Sequence, residues 1–123
     1  MTVTRSLAVF AALNGALAVT LGAFAAHGAG PQVKTLLTTG AHYQLVHTVA
    51  ALVCAVWPAR ASLITLAGWL AAAGGLVFAL ALSAVALLSL PAMGAVAPIG
   101  ALLMIAAWLL IAFAALRTQI PSA

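Results

Sequence analysis

Only four side chains in this 123-residue chain carry a fixed charge, Arg5, Lys34, Arg60 and Arg117, and it has no Asp or Glu at all. Long apolar runs separate them. A water-soluble surface carries roughly 25–35% charged residues of both signs, whereas here the figure is 3%. Hydrophobic residues make up 67% of the chain, against roughly 45–50% in an ordinary soluble domain. Such a chain has no means of covering a core against water. Its solvent is expected to be lipid, and the expected fold is all-α, a polytopic membrane protein built as a four-helix transmembrane bundle in one domain.

The same deficit narrows the chemistry. Paired-acid hydrolysis needs two carboxylates, and calcium and magnesium sites draw on Asp and Glu. The high isoelectric point reflects four scattered basic residues rather than a basic patch, so no nucleic-acid partner is expected. Cys54 is the lone cysteine, which excludes an internal disulfide. No enzyme activity and no cofactor are expected.

The first span is read at about 7–26. Its twenty residues cover about 30 Å as helix, the thickness of the hydrocarbon core. That exceeds the apolar core of a signal peptide, so it is read as a membrane span rather than a cleaved leader. Gly28, Gly30 and Pro31 mark a turn, and Lys34 to Thr39 is read as a short interfacial piece. The second span is placed at about 40–57, polar at first and closed by Trp57 and Pro58. The third is placed at about 61–90, longer than a bilayer needs, with tilt or an early end near Ser83 to Ser89. The fourth runs from about 97 to 116, with Pro98 in its first turn.

Four spans put both termini on one side of the membrane. Arg5, Arg60 and Arg117 then share that side and Lys34 faces the other. By the positive-inside rule the termini are cytoplasmic, and the expected location is the cell inner (plasma) membrane.

Lipid provides no hydrophobic drive between helices, so small residues must let backbones approach. Ala67, Ala71, Gly75, Ala79 and Ser83 recur every four residues in the third span, and Asn14, Ala18, Gly22 and Ala26 do so in the first. Asn14, Gly22, Ala71 and Gly75 are the helix-packing candidates, with Asn14 able to hydrogen-bond across helices. Whether the line of small residues serves internal packing or a partner stays open at this level.

The polar candidates are His27, Tyr43, Gln44 and His47. His42 and His47 are five apart, about 140° around a helix, and do not converge on a metal. Cys54 lies about 10 Å along the axis from His47, too far for a nucleophile–base pair. No metal site is expected. The short connection after His27 makes the first two spans antiparallel neighbours. A polar knot between His27 and Tyr43, Gln44 or His47 is expected there, near one membrane face, because polar groups at membrane depth need partners.

Three segments carry a resemblance: residues 21–27, LGAFAAH; residues 39–48, TGAHYQLVHT; and residues 97–100, APIG, followed by Ala107-Trp108. They resemble the YgdD-like family of small inner-membrane proteins with a domain of unknown function and mitochondrial relatives. The resemblance implies a four-helix membrane fold and no established activity. It puts His27, Tyr43, Gln44 and His47 on signature positions. Ala25 stands where Gly is usual, His42 where Glu or another polar residue occurs, and Ala79 to Ser83 replaces a Ser/Gly-rich stretch ending in Tyr. The last change removes polar groups from the third helix.

The leading functional expectation is action through protein or lipid contacts, as an accessory subunit of a membrane complex. The alternative is a binder or carrier of a small hydrophobic molecule, a quinone or lipid, at the His/Tyr/Gln cluster. The expected partners are the bilayer and either other membrane proteins or further copies of the chain.

Overall fold

Leucine, valine and alanine follow one another with few interruptions from Arg5 onward, and in lipid such a run satisfies its backbone only by coiling into a helix. The computed structural model describes residues 3–58 and 62–117. Within them the regular structure is helical: α1 Arg5–Gly28, α2 Pro31–Ala55, α3 Ser62–Leu88, a short 3₁₀ turn Pro91–Ala95, and α4 Ala97–Arg117. Three segments are long and apolar enough to cross a membrane: Arg5–Gly28, Ser62–Leu88 and Pro91–Arg117. α2 has the length, at 25 residues, but its polar residues keep it outside that group.

α2 starts nine residues before the expected Gly40, and the interfacial piece over Lys34 to Thr39 is part of it. Gly30 caps it and Pro31 takes the first helical position, where a missing N–H costs nothing. The Thr35 and Thr39 hydroxyls donate to the carbonyls of Pro31 and Thr35, at 3.1 and 2.9 Å. These bonds absorb the polar groups that make the stretch read as an interfacial piece in sequence. Only Ala29 and Gly30 separate α1 from α2.

α3 ends at Leu88, within the expected window. Ser89 there adopts a left-handed backbone, φ 52°, and the Leu90 N–H reaches back to the Ala84 carbonyl at 3.3 Å. This pattern closes a helix C-terminus. Arg60 and the expected first residue of the third span, Ala61, lie outside the described residues.

The helices run up and down as antiparallel neighbours. Thr4 N–H bonds the Ala55 carbonyl at 2.9 Å, joining the start of α1 to the end of α2. α2 packs against both α1 and α3, and α4 packs on α3. α2 and α4 barely touch along their backbones, so a cleft remains between them with α3 as its floor. The core is made chiefly of alanine, with Leu7, Leu37 and Ile64 its largest fully buried apolar side chains.

The line of small residues in α3 lies inside the bundle. Ala67, Ala71 and Ala79 are fully buried, and Gly75 faces α2. A Cβ on Gly75 would stand 3.2 Å from the Gln44 Cα, and one on Gly40 would stand 3.1 Å from the Ala79 Cα. The other side of α3 meets α4 more closely still, at Gly74 and Gly100. A Cβ on Gly22, in α1, would stand at ordinary van der Waals distance from Ala41, 3.9 Å from its Cβ.

Candidate functional site

The polar residues of α2 sit at mid-helix, not at its mouth. Twelve residues separate Pro31 from Tyr43, about 18 Å of rise. Gln44 lies against Gly75, the midpoint of α3. The early start of α2 is what carries the cluster to the middle of the bundle.

Gln44 and Thr48 face α1. The Gln44 amide N–H donates to the Asn14 side-chain oxygen at 2.8 Å, and both residues are buried. Asn14 donates in turn to the Phe10 carbonyl at 3.0 Å. Thr48 donates to the Ala11 carbonyl at 2.6 Å. Gln44 Oε1 is buried without a partner among the described residues. Asn14 therefore does bond across helices, with Gln44 as its donor. Helix-bridging bonds of this kind contribute on the order of 0.6 kcal/mol each in a membrane.

His47 and Tyr43 turn the other way, into the cleft between α2 and α4. His47 Nδ1 is 2.7 Å from the Tyr43 carbonyl, and the Trp108 indole N–H points at His47 Nε2 at 2.8 Å. An indole nitrogen only donates. Nε2 is thus the acceptor, and Nδ1 carries the proton and donates to the carbonyl. Both ring nitrogens of a neutral imidazole are committed, and its orientation is set from two helices. The Tyr43 ring stacks at 6.3 Å from His47 and meets Phe78 of α3 edge-on at 5.2 Å. Its hydroxyl bonds nothing among the described residues, and Tyr43 is 46% exposed.

Around these rings lies an open groove of about 510 Å³, lined by Thr39, Tyr43, His47, Phe78, Met104 and Trp108 among others. Beyond Trp108 a second groove of about 470 Å³ continues between the same helices, with an entirely apolar lining from Leu45 to Val53 and Ile111. No charged side chain lines either groove.

The expected knot around His27 does not form. Thr4 pairs with Ala55 and Gly22 lies beside Ala41, so His27 stands level with the first turns of α2. That is roughly 10–16 Å along the axis from Tyr43. His27 is exposed and makes no hydrogen bond among the described residues. The expectation failed because it placed the start of α2 too late. Within the α2 part of the cluster, Gln44 serves the α1 seam while Tyr43 and His47 serve the cleft. Among the described residues no three His, Cys, Asp or Glu side chains gather as a metal site.

Trp108, which the sequence placed in a resemblance segment, was not among the expected site residues. It is 61 positions from His47, on a helix that is not α2's neighbour in the chain. The available signal was a single indole N–H in an otherwise apolar span, a group that seeks an acceptor when removed from water.

A family model described as "Protein of unknown function (DUF423)" matches residues 21–101. That stretch runs from the later half of α1 into the start of α4 and includes Tyr43, Gln44 and His47. No curated protein and no solved structure matches the chain.

Proposed function

The chain belongs to the DUF423 (YgdD-like) family, whose description assigns no activity; from its own geometry we propose that it is a four-span membrane protein that binds a small hydrophobic molecule in the cleft between α2 and α4. The observation that carries this reading is the groove at Tyr43, His47, Phe78 and Trp108. It lies at mid-depth and is lined by aromatic rings and a free phenol, without any charge. Ligand pockets characteristically combine an apolar lining with a few placed polar groups. An intramembrane histidine held by two hydrogen bonds is a costly feature to build without use. Between the two expectations from sequence, the groove favours the binder over the accessory subunit. Exposed apolar residues on α4, such as Leu102, Leu109 and Leu116, are what a lipid-facing helix presents and call for no protein partner. The protein is proposed as a binder or carrier and not a catalyst, because both ring nitrogens of His47 are already engaged.

α2 is proposed as the fourth span. It runs antiparallel between α1 and α3, two helices that can cross a membrane, and buries its polar groups against them. The up-and-down order puts Arg5 and Arg117 at one end of the bundle and Lys34 toward the other. The proposed location is the inner membrane with both termini cytoplasmic. Reporter fusions after Arg117 are expected to read as cytoplasmic and a fusion at Gln32 as external. A cytoplasmic signal at Gln32 overturns the orientation or the fourth span.

Purification from native membranes in a mild detergent, followed by solvent extraction and mass spectrometry, tests the binding reading. One apolar small molecule is expected at near-stoichiometric amount. It is expected to be depleted in Ala101→Trp, which fills the groove from α4. A stoichiometric protein partner with no enriched small molecule would return the reading to the accessory subunit.

A further inference from the structure

The proposed binding site has a second compartment, and the inference here rests on that reading. Trp108 lines both grooves. On one side of its indole stand Tyr43, His47 and Phe78; on the other stand Leu45, Val49, Val53 and Ile111. Both compartments lie between α2 and α4, and together they follow α2 from Thr39 to Val53, about 21 Å of helix. Their chemistry differs. The first offers aromatic faces and the Tyr43 hydroxyl, a donor with no partner among the described residues. The second offers hydrocarbon alone.

We infer that the ligand is an uncharged amphiphile in two parts: a flat, acceptor-bearing ring head held at Tyr43, His47 and Phe78, and an apolar tail that passes Trp108 along Val49 and Val53. The absence of charge in the lining sets the first condition. A carboxylate or ammonium in this cleft would meet no counter-charge, and an isolated charge there is strongly unfavourable. The ring follows from the aromatic surface the groove presents, Phe78 packed edge-on against a Tyr43 ring that stays 46% exposed. The acceptor follows from the donors present. The Trp108 and His47 N–H groups are already engaged, which leaves the Tyr43 O–H for a carbonyl or ether oxygen. The tail follows from the wholly apolar compartment on the far side of the indole, which shares Trp108 with the first. Trp108, 46% exposed and tied to His47 by one hydrogen bond, marks the boundary between head and tail.

Three probes separate these statements: a benzoquinone with a ten-carbon alkyl chain, the same quinone without the chain, and decanoate. Binding to the full chain in detergent is read by native mass spectrometry as a 1:1 adduct. The tailed quinone is expected to bind saturably, about tenfold tighter than the tailless one, from packing contacts of its chain along Val49 and Val53. Decanoate is expected not to compete. Tyr43→Phe keeps the ring and is expected to weaken both quinones about fivefold, the worth of one hydrogen bond. Val49→Phe narrows the apolar compartment from a lipid-exposed position and is expected to weaken only the tailed quinone. Equal binding of the two quinones, with no effect of Val49→Phe, removes the tail compartment and leaves the head site standing. Competition by decanoate overturns the uncharged head. Failure of both quinones, in a protein that still extracts with an apolar molecule bound, overturns the ring-headed ligand but not the binding function. Failure with nothing extracted overturns both.

Discussion

Replacing Gly100 by leucine is expected to prevent α4 from docking on α3. A Cβ at this position would lie 2.7 Å from the Phe78 nitrogen and 2.8 Å from the Gly74 carbonyl oxygen. Both obstacles are backbone, so no side chain can swing aside. Gly74 is the reciprocal position, its Cβ 2.9 Å from the Gly100 oxygen. Even Gly100→Ala must separate the helices, at about 1–3 kcal/mol, the usual range for overpacking. Gly100→Leu goes further, and the chain is expected to be recovered as an aggregate or as a species with α4 detached. Leu102→Ala is the control, since Leu102 is 65% exposed. Reversible unfolding in mixed micelles measures the difference. Equal stability of Gly100→Ala and Leu102→Ala rules out the backbone contact.

Gly75→Leu is expected to be the next most damaging change, and it acts on a different seam. Its Cβ would meet the Gln44 Cα at 3.2 Å and the His47 Cβ at 3.4 Å. Leucine there pushes α2 away from α3 and carries Gln44 and His47 with it. A loss of at least about 2–3 kcal/mol is expected from overpacking, together with loss of the molecule proposed to bind in the cleft. Leu80→Ala, at a 49% exposed position of α3, is expected to change little. Micelle unfolding and extraction of the bound species, run on the same preparations, report both effects. A Gly75→Leu protein as stable as Leu80→Ala sinks this account of the seam.

The legible part of the fold was the part written in hydrophobic length. α1, α3 and α4 are marked by unbroken apolar runs, and α3 stops at Leu88, within the window its excess length indicates. α2 was legible only from Gly40 onward. Its first turns contain Lys34 and three threonines, which read as interface. Side-chain bonds back to the helix's own carbonyls hide that polarity, and no apolar periodicity announces them. The nine-residue error displaced the cluster from mid-depth to the membrane face and brought His27 into false proximity. Within the cluster, the chain order could mark Tyr43, Gln44 and His47 as unusual but not tell which seam each would face. The close approach of Gly74 and Gly100 was equally hidden, because a second row of small residues in an alanine-rich helix carries no distinct signal.

The two-residue connection between α1 and α2 has a consequence for how the chain enters its membrane. α2 is the least apolar of the long helices, and Gln44 and Thr48 find their partners on α1, at Asn14 and Ala11. Exposed singly to hydrocarbon, those groups would stand unpaired at a cost of several kcal/mol. With only Ala29 and Gly30 between the helices, α1 is within reach as soon as α2 is made. On the proposed four-span reading, α1 and α2 enter the bilayer as one hairpin whose apolar arm escorts its polar one, and α4 then brings Trp108 to His47, a contact the pair alone lacks.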